Sequence, residues 1–308
     1  MTLALLLALV PIALLIALGT WLRSSQFIAD AFWPQAERLG YYVLLPALFV
    51  HGLATAKLDG VPVLGMALAL VSSTVLVAML LVLSRRCFAV SDAAFTSVFQ
   101  GGVRFNNYVG VSAAAGLFGT QGIALAAVAN AAIVPTVNIL CVLVFARYGA
   151  AGRMTWKGVA RQMAFNPLLM ACAGGVFLHA TGLGLPPVIE PLLKALGQAS
   201  LPLGLLCVGA ALDLKAARSW VRPVGMSSVA KFVVMPMVTL AACHLFGLSG
   251  EAAIAALLFQ ALPTASSSYI MARQLGGDAP LMAGIIAGQT LLAGVALPLA
   301  VSSLLPWI

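Results

Sequence analysis

The amino-acid sequence predicts an all-α polytopic membrane protein of ten transmembrane helices, built as two inverted five-helix repeats whose helices 4 and 9 are broken. Three observations lead to this fold class. Of the 308 residues, 62% are hydrophobic and only 8% are charged, whereas roughly a quarter of the residues in a soluble domain are charged. The apolar residues form runs of about 20, which suit membrane helices and exclude the alternating pattern of a closed barrel. Finally, short motifs recur in the same order in the two halves of the chain.

The apolar runs define ten predicted spans joined by short linkers. No lysine or arginine precedes the first run, so we interpret it as the first span and not as a cleavable signal, which needs a basic start. Several runs exceed the roughly 20 residues that a bilayer core requires, and we expect tilt or breaks in them. The longest linker is 147–162, and no soluble domain is predicted. The predicted spans are 2–22, 34–56, 62–83, 93–118, 121–146, 163–181, 188–212, 221–246, 251–275 and 279–305.

The basic residues predict the orientation of the spans, because lysine and arginine concentrate in cytoplasmic loops. Two of the 16 basic residues fall in the middle of spans, and the others lie in loops or at the approximate span ends beside them: two on one side (Lys57 and Lys194) and 12 on the opposite side. This asymmetry predicts that both termini are periplasmic or extracellular and that linker 147–162 is cytoplasmic. The 12 residues are Arg23, Arg38, Arg85, Arg86, Arg147, Arg153, Lys157, Arg161, Lys215, Arg218, Arg222 and Arg273.

Three pairs of motifs relate the two halves of the chain. LLPALF pairs with SLPLGL, VPVLGM with VRPVGM, and FQGGVRFNNY with FQALPTASSSY, each at an offset of about 156 to 161 residues. A unit of five spans crosses the membrane an odd number of times, so its second copy starts from the opposite side. The halves therefore form an inverted repeat, which is typical of secondary transporters. The predicted organisation is a first repeat at 1–146, a cytoplasmic linker at 147–162 and a second repeat at 163–308.

Span 9 is interrupted by polar residues and a proline in the middle of the membrane. Pro263 lacks a backbone donor and disfavours helix at Leu262. The hydroxyl groups that follow it can bond to the freed carbonyl groups or to a ligand. They belong to Thr264, Ser266, Ser267 and Ser268.

Span 4 holds the equivalent place in the first half and has no proline. We expect Gly101 and Gly102 to loosen this helix together with Asn106 and Asn107, since glycine costs about 1 kcal/mol in a helix interior and asparagine competes for backbone bonds. Non-helical backbone at membrane depth persists only inside protein or along a wet cavity. The paired breaks therefore predict a shared central site, where the N-termini of half-helices offer positive dipole ends to an anion.

Two basic residues fall inside predicted spans, Arg104 in span 4 and Lys231 in span 8. An arginine near the bilayer centre costs about 2.5–3.5 kcal/mol on insertion scales, and all acidic residues lie at span ends or in loops. The two cations therefore suit an anionic substrate such as a carboxylate. The alternatives are that Arg104 snorkels to a surface and that Lys231 donates to carbonyl groups of a broken helix. The acidic residues are Asp30, Glu37, Asp59, Asp92, Glu190, Asp213, Glu251 and Asp278.

The remaining polar residues predict no chemistry of their own. Asn130 and Gln289 occupy corresponding positions in spans 5 and 10, where a role beside the breaks and interhelical hydrogen bonding are both open. The net charge of +8 does not indicate nucleic-acid binding, because no basic stripe is present. We interpret the five scattered cysteines as packing residues. No catalytic group, metal site or cofactor is predicted, and without a buried carboxylate the energy coupling is open between potential-driven export and an anion–proton scheme.

Motifs spread over almost the whole chain carry a resemblance to a known family. They are LLPALF in span 2, the Arg104-x-Asn106-x-x-x-Gly110 pattern in span 4, Asn166-Pro167 at the start of span 6, LPLGLLCVGAAL in span 7, AKFVVMP in span 8 and LPTASSSYIMARQLGGD in spans 9 and 10. Through these motifs the chain resembles the auxin efflux carrier family of membrane permeases, in its bacterial branch. The span 9 motif is the most specific of them.

The resemblance implies more than the residues alone predict. It implies that spans 4 and 9 cross at their breaks beside a scaffold of spans 1, 2, 6 and 7. It also implies elevator-like alternating access for organic anions, among which the family carries auxin, malonate and malate. Members often have a proline just after the span 4 glycine, whereas this chain has Ser112 after Gly110 and Val111.

Together these observations predict a secondary transporter of small organic anions, such as mono- or dicarboxylates, in a bacterial inner membrane. Arg104 would supply charge to the substrate, and nearby polar groups would supply hydrogen bonds. The predicted substrate-binding residues are Arg104, Asn106, Asn107, Tyr108, Pro263, Thr264, Ser266, Ser267, Lys231, Asn130 and Gln289. The expected partners are the anion and the lipid bilayer. Whether two copies pair as a homodimer, which anion is carried and in which direction stay open.

Three other functions compete with this prediction. A sodium-coupled symporter of the bile-acid type has a related inverted repeat, but it would have polar and acidic sodium ligands beside the breaks, and the sequence has no carboxylate there. A membrane-embedded enzyme predicts a His, Asp or Glu cluster or a Ser–His pair within the spans, and neither is visible in the sequence. A non-transporting receptor or assembly subunit leaves the paired breaks and Arg104 without a purpose.

Overall fold

A computed structural model describes residues 2–55, 62–149, 164–165, 167–212 and 220–307. Within these residues the chain is helical and holds no β-strand, which confirms the all-α prediction. In the first part of the chain the helices are α1 (Thr2–Ser24), α2 (Phe32–Leu39), α3 (Leu45–Thr55), α4 (Val63–Leu83), α5 (Asp92–Val103) and α6 (Asn107–Tyr148). In the second part they are α7 (Pro167–Thr181), α8 (Ile189–Ala210), α9 (Val221–Val229), α10 (Met235–Leu245), α11 (Gly250–Gln260), α12 (Ser267–Leu275) and α13 (Ala279–Leu304).

Several of these helices join or change geometry along their length. A π-helical turn at Gly40–Leu44 connects α2 to α3, and another at Ala230–Val234 connects α9 to α10. A single residue interrupts α6, because Gly119 has φ 58° and ψ −133°. This backbone conformation is open to glycine and strained for other residues. Gly119 lies between predicted spans 4 and 5.

The helices have the length and composition of membrane spans. Five helical stretches are long and apolar enough to cross a membrane, and shorter apolar helices accompany them. The five are Val63–Leu83, Asp92–Tyr148, Ile189–Ala210, Val221–Leu245 and Ala279–Ala300, and the shorter ones are Val10–Ser24, Pro167–Thr181 and Gly250–Gln260. Each of the ten predicted spans contains helix, while the inverted repeat stays a prediction. From residue 150 onward, the predicted linker lies outside the described residues.

The chain divides into two compact units that do not follow the two sequence halves. The first unit comprises Met1–Val61, Tyr108–Ala131 and Arg161–Ala211, and the second comprises Pro62–Asn107, Ala132–Ala160 and Leu212–Ile308. Each unit thus takes helices from both predicted repeats. Helix α6 contributes its beginning to the first unit and its end to the second.

In the first unit, α1 packs closely on α8 because small residues face each other there. A Cβ atom added to Gly19 would collide with the carbonyl of Leu206, and one added to Gly209 would collide with the carbonyl of Ile16. The close approach lets Thr20 Oγ1 donate a hydrogen bond to the Gly209 carbonyl at 2.8 Å. Direct backbone approach through small residues is the usual way in which membrane helices associate.

This packing predicts a position-specific effect of alanine. Gly209→Ala is expected to destabilise the protein by about 1–3 kcal/mol, because the added methyl group overpacks the contact with α1. The matched control is Gly174→Ala in α7, where an added Cβ meets nothing within 4 Å and helix propensity alone favours alanine. Thermal unfolding in detergent measures both. Equal melting temperatures for the two variants would contradict the close packing.

The second unit corrects one prediction about span 4. Gly101 and Gly102 are helical and lie inside α5, so they do not form the break. Their lack of a side chain serves packing instead: a Cβ on Gly101 would lie 2.7 Å from Ile285 Cγ2, and one on Gly102 would lie 2.6 Å from Leu81 Cδ1. The helix ends after Val103, and the non-helical residues are 104–106.

Candidate functional site

Two interrupted helices meet in the second unit. Helix α5 ends at Val103, Arg104 is extended with φ −77° and ψ 161°, and α6 begins at Asn107. Helix α11 ends at Gln260, and α12 begins at Ser267. We call residues 104–106 the first break and residues 261–266 the second break.

An aromatic contact joins the first break to the helix that precedes the second break. Phe105 lies in the first break and Phe259 lies in the last turn of α11, and their rings pack edge to face with centroids 5.8 Å apart. Both rings are buried. Such aromatic pairs contribute about 0.5–1.5 kcal/mol beyond the area that they bury. The contact brings polar residues of the two breaks into one region.

Arg104 occupies this region and contacts only neutral groups among the described residues. Its Nη1 donates to Asn138 Oδ1 at 3.1 Å and lies 3.4 Å from Met271 Sδ, and its Nη2 donates to Ser267 Oγ at 3.3 Å. Arg104 takes part in neither of the ion pairs Arg23–Asp30 and Arg85–Asp92. Since the guanidinium carries five donors, it retains capacity for an additional acceptor.

Gln289 of α13 is hydrogen-bonded to both broken helices. Its Oε1 accepts from the Thr264 N–H at 3.0 Å, and its Nε2 donates to the Gly101 carbonyl at 2.9 Å. The same Nε2 lies 3.4 Å from Ser227 Oγ. Gln289 is one of the predicted substrate-binding residues, whereas its amide here forms hydrogen bonds with the protein.

Thr264 of the second break and Ser268 in the first turn of α12 bond to each other through their hydroxyl groups, and the Ser268 carbonyl bonds to α5. Thr264 Oγ1 and Ser268 Oγ are 3.1 Å apart, and both residues are buried. Gln100 Nε2 donates to the Ser268 carbonyl at 3.3 Å. Gln100 Oε1, in contrast, has no hydrogen-bond partner within the described ranges. The groups around the second break are thus satisfied, while Gln100 Oε1 of the neighbouring α5 is a buried acceptor that has capacity for a donor.

Lys231 is the second cation that the sequence places inside the membrane. It lies in the π-helical turn between α9 and α10, and its side chain is completely buried. Its Nζ has no hydrogen-bond partner in the part of the chain that the structure describes. π-Helical turns interrupt α-helices frequently at functional sites. The alternative interpretation, in which Lys231 donates to carbonyl groups of a broken helix, has no such bond among these residues.

The other predicted site residues divide between the two units. Asn106 is buried in the first break, and Asn107 Oδ1 lacks a partner among the described residues. Tyr108 belongs to the first unit, where its ring lies against Gly204. Asn130 also belongs to the first unit and donates to the Ala126 carbonyl one turn earlier at 2.8 Å.

The structure adds contacts by residues outside the predicted substrate-binding set, among them Asn138, which the sequence offers only as a lesser candidate. Asn138 and Met271 contact Arg104, and Gln100 contacts Ser268 in the first turn of α12. Asn138 and Gln100 stand out as amides within apolar runs, which is a usable signal. Met271 gives no such signal in the sequence, because methionine is common in apolar helices. The described residues contain no group of three or more His, Cys, Asp or Glu side chains that could hold a metal.

Comparison with known proteins identifies the family. The model of a family described as "Membrane transport protein" matches residues 4–301. The chain belongs to this membrane transport family. It is also 26% identical over 249 residues to a protein of Rhizobium meliloti (strain 1021) named "Putative malonate transporter", with 76% of this chain and 75% of that protein covered.

These findings confirm the resemblance to the auxin efflux carriers and the prediction of a transporter that is not an enzyme. As a member of the membrane transport family with several apolar helices, the protein is an integral membrane protein. The broken helices, Arg104 and Lys231 therefore belong to a transporter.

Proposed function

We propose that this transporter is a secondary carrier of small carboxylates in a bacterial inner membrane, and that the substrate binds at the two breaks. The observation that carries the proposal is Arg104, whose partners among the described residues are all neutral. A cation within a membrane span needs a compensating charge, since it costs about 2.5–3.5 kcal/mol on insertion scales. A substrate carboxylate supplies that charge.

The chemistry of Arg104 favours a carboxylate over a neutral substrate. A guanidinium binds a carboxylate through two parallel hydrogen bonds, which adds geometric selectivity to the attraction between charges. The N-terminus of α12 adds a positive dipole end beside it, because this helix begins at Ser267, whose Oγ contacts Arg104. Asn106, Asn107, Thr264 and Ser266 are the proposed hydrogen-bonding groups.

Lys231 supports a substrate with more than one negative charge. It lies in the same unit as Arg104, it is completely buried, and no acceptor among the described residues bonds its Nζ. Two cations without internal carboxylates suit a dicarboxylate better than a monocarboxylate. The relative named "Putative malonate transporter" makes malonate the first dicarboxylate to assay.

The proposed mechanism assigns different roles to the two units. The first unit contains predicted spans 1, 2, 6 and 7, which the family resemblance assigns to the scaffold. The second unit contains both breaks and would carry the substrate. We propose ten membrane crossings in two inverted repeats, with both termini periplasmic. Elevator-like movement of the second unit would then expose the substrate alternately to the two sides.

The proposal is tested by uptake into proteoliposomes. Radiolabelled malonate should accumulate in response to an imposed membrane potential or pH gradient. Unlabelled mono- and dicarboxylates should compete with it, whereas neutral amides of the same size should not. Empty liposomes are the control. Transport of the neutral amides at the rate of the acids would contradict a site built around Arg104.

The ion dependence of uptake separates the proposal from a sodium symporter. We expect malonate uptake to continue when sodium is replaced by potassium or choline, because the buried polar residues of the described chain include no Asp or Glu and sodium sites commonly use such ligands. Initial rates with and without sodium gradients measure this. Strict sodium dependence would favour the bile-acid type of symporter instead.

A further inference from the structure

We propose that Gln289 is a positioning residue that holds the two breaks in their substrate-binding geometry without contacting the substrate. Every broken helix leaves backbone N–H and carbonyl groups without a partner inside the helix. The Thr264 N–H follows Pro263 in the second break, and the Gly101 carbonyl lies in the last turn of α5 before the first break. Both are buried, and Gln289 bonds to each of them.

The amide is the side-chain group that suits this position. It carries an acceptor and a donor on one rigid plane, so a single residue can satisfy an N–H and a carbonyl that are 163 residues apart in the chain. Gln289 is fully buried, and both ends of its amide are engaged at 3.0 Å or less. Its polar atoms are therefore committed to the backbone and not to a ligand.

Loss of the Gln289 amide would remove one hydrogen bond beside each break. An unsatisfied buried N–H or carbonyl is costly, so the breaks would move to other arrangements that restore hydrogen bonds. The binding-competent arrangement would then be only fractionally populated. Apparent substrate affinity falls in proportion to that fraction. Gln289 thus acts on affinity through the backbone of the breaks, which rests on the proposed function of this site.

The first measurement does not depend on transport. Hydrogen–deuterium exchange of peptides covering the second break reports protection of the Thr264 N–H. Gln289→Met keeps length and apolar volume but lacks the acceptor, and it should accelerate this exchange about tenfold, which corresponds to loss of about 1.4 kcal/mol of protection. Gln289→Glu keeps an acceptor toward Thr264 and should leave this amide protected, while it loses the donor toward Gly101.

The second measurement is malonate uptake by the reconstituted variants. Both variants should raise the apparent KM about tenfold and leave the maximal rate within about twofold of the original protein, because the substrate must first select the competent geometry. Thr290→Val is the matched control, since among the described residues the Thr290 hydroxyl bonds within its own helix, to the Ile286 carbonyl at 2.7 Å. The Thr290→Val variant should change neither the hydrogen exchange of the second break nor the KM for malonate.

The outcomes separate this inference from the proposed function. Unchanged exchange in Gln289→Met, or a fall in maximal rate with unaltered KM, would overturn the positioning role. Full transport by an Arg104→Gln variant would overturn the substrate site and leave the exchange result standing. Accelerated exchange together with a raised KM in Gln289→Met, with Thr290→Val unaffected, is the result that supports the proposal.

Discussion

Replacement of Arg104 by glutamine is expected to lower the ratio of maximal rate to KM for malonate about a hundredfold, which is about 2.7 kcal/mol. The substrate carboxylate would lose its charge partner in a desolvated site, and removal of one partner of a buried charge pair costs about 2–5 kcal/mol. Glutamine retains the ability to bond Asn138 and Ser267, so the protein should stay folded. Initial uptake rates over a range of malonate concentrations give the ratio.

Two further variants isolate the charge and its geometry. Arg104→Lys keeps the charge but not the planar pair of donors, so its activity should lie between those of the original protein and Arg104→Gln. Arg273→Gln removes a basic residue from the exposed end of α12 and serves as a matched control for net charge. Equal activity of Arg104→Gln and Arg273→Gln would show that Arg104 holds no substrate.

Replacement of Lys231 by methionine is expected to stabilise the protein and to reduce its transport. The Lys231 amine is fully buried and has no hydrogen-bond partner among the described residues. Burial of a neutral polar group without a hydrogen bond costs about 1–3 kcal/mol in mutational data, and burial of an unpaired ammonium costs more, whereas methionine fills a similar space without this cost. Thermal unfolding in detergent should therefore shift upward, while malonate uptake falls about tenfold or more through loss of a substrate charge partner.

Opposite changes in stability and activity distinguish a functional lysine from a structural one. Functional sites commonly keep groups that destabilise the fold, and their removal raises stability at the expense of activity. Lys194→Met in α8 is the control, because that side chain is exposed. A lower melting temperature for Lys231→Met would mean that the lysine stabilises the substrate-free fold, and unchanged uptake would remove it from the site.

The residues with strong local signals were predicted from the sequence. Pro263 interrupts a helix by its own covalent structure, and Arg104 conflicts with the apolar residues around it, so both mark the breaks without knowledge of packing. The helix bounds also follow the apolar runs closely, since hydrophobic length is set by the bilayer. These features depend on a few neighbouring residues.

The contacts between distant segments could not be predicted in this way. Gln289 bonds to Gly101 across 188 positions in the chain, and the sequence shows only that an amide lies in span 10. The role predicted for Gly101 and Gly102, which was to loosen the helix at the first break, was wrong for a similar reason. Glycine is equally common at breaks and at close helix contacts, and only the positions of Ile285 and Leu81 distinguish the two.

The division of the chain into two units could not be predicted from the repeated motifs either. Motifs that repeat along the chain predict which segments are equivalent, but not which of them pack together. Tyr108 and Asn130 illustrate the difference, because both follow the first break in sequence and both belong to the first unit, whereas the break itself belongs to the second. Their placement depends on contacts with helices from the other half, such as the contact of Tyr108 with Gly204.

Protection of a cysteine at position 267 tests the central claim most directly. Ser267 Oγ contacts Arg104, and Ser267 is partly accessible, so Ser267→Cys places a thiol at the proposed site. Native Cys87 is exposed and serves as an internal control in the same protein. Malonate should slow alkylation of the thiol at 267 with half-maximal protection at the transport KM and leave Cys87 unaffected. Unaltered alkylation at saturating malonate would contradict a substrate site at the two breaks.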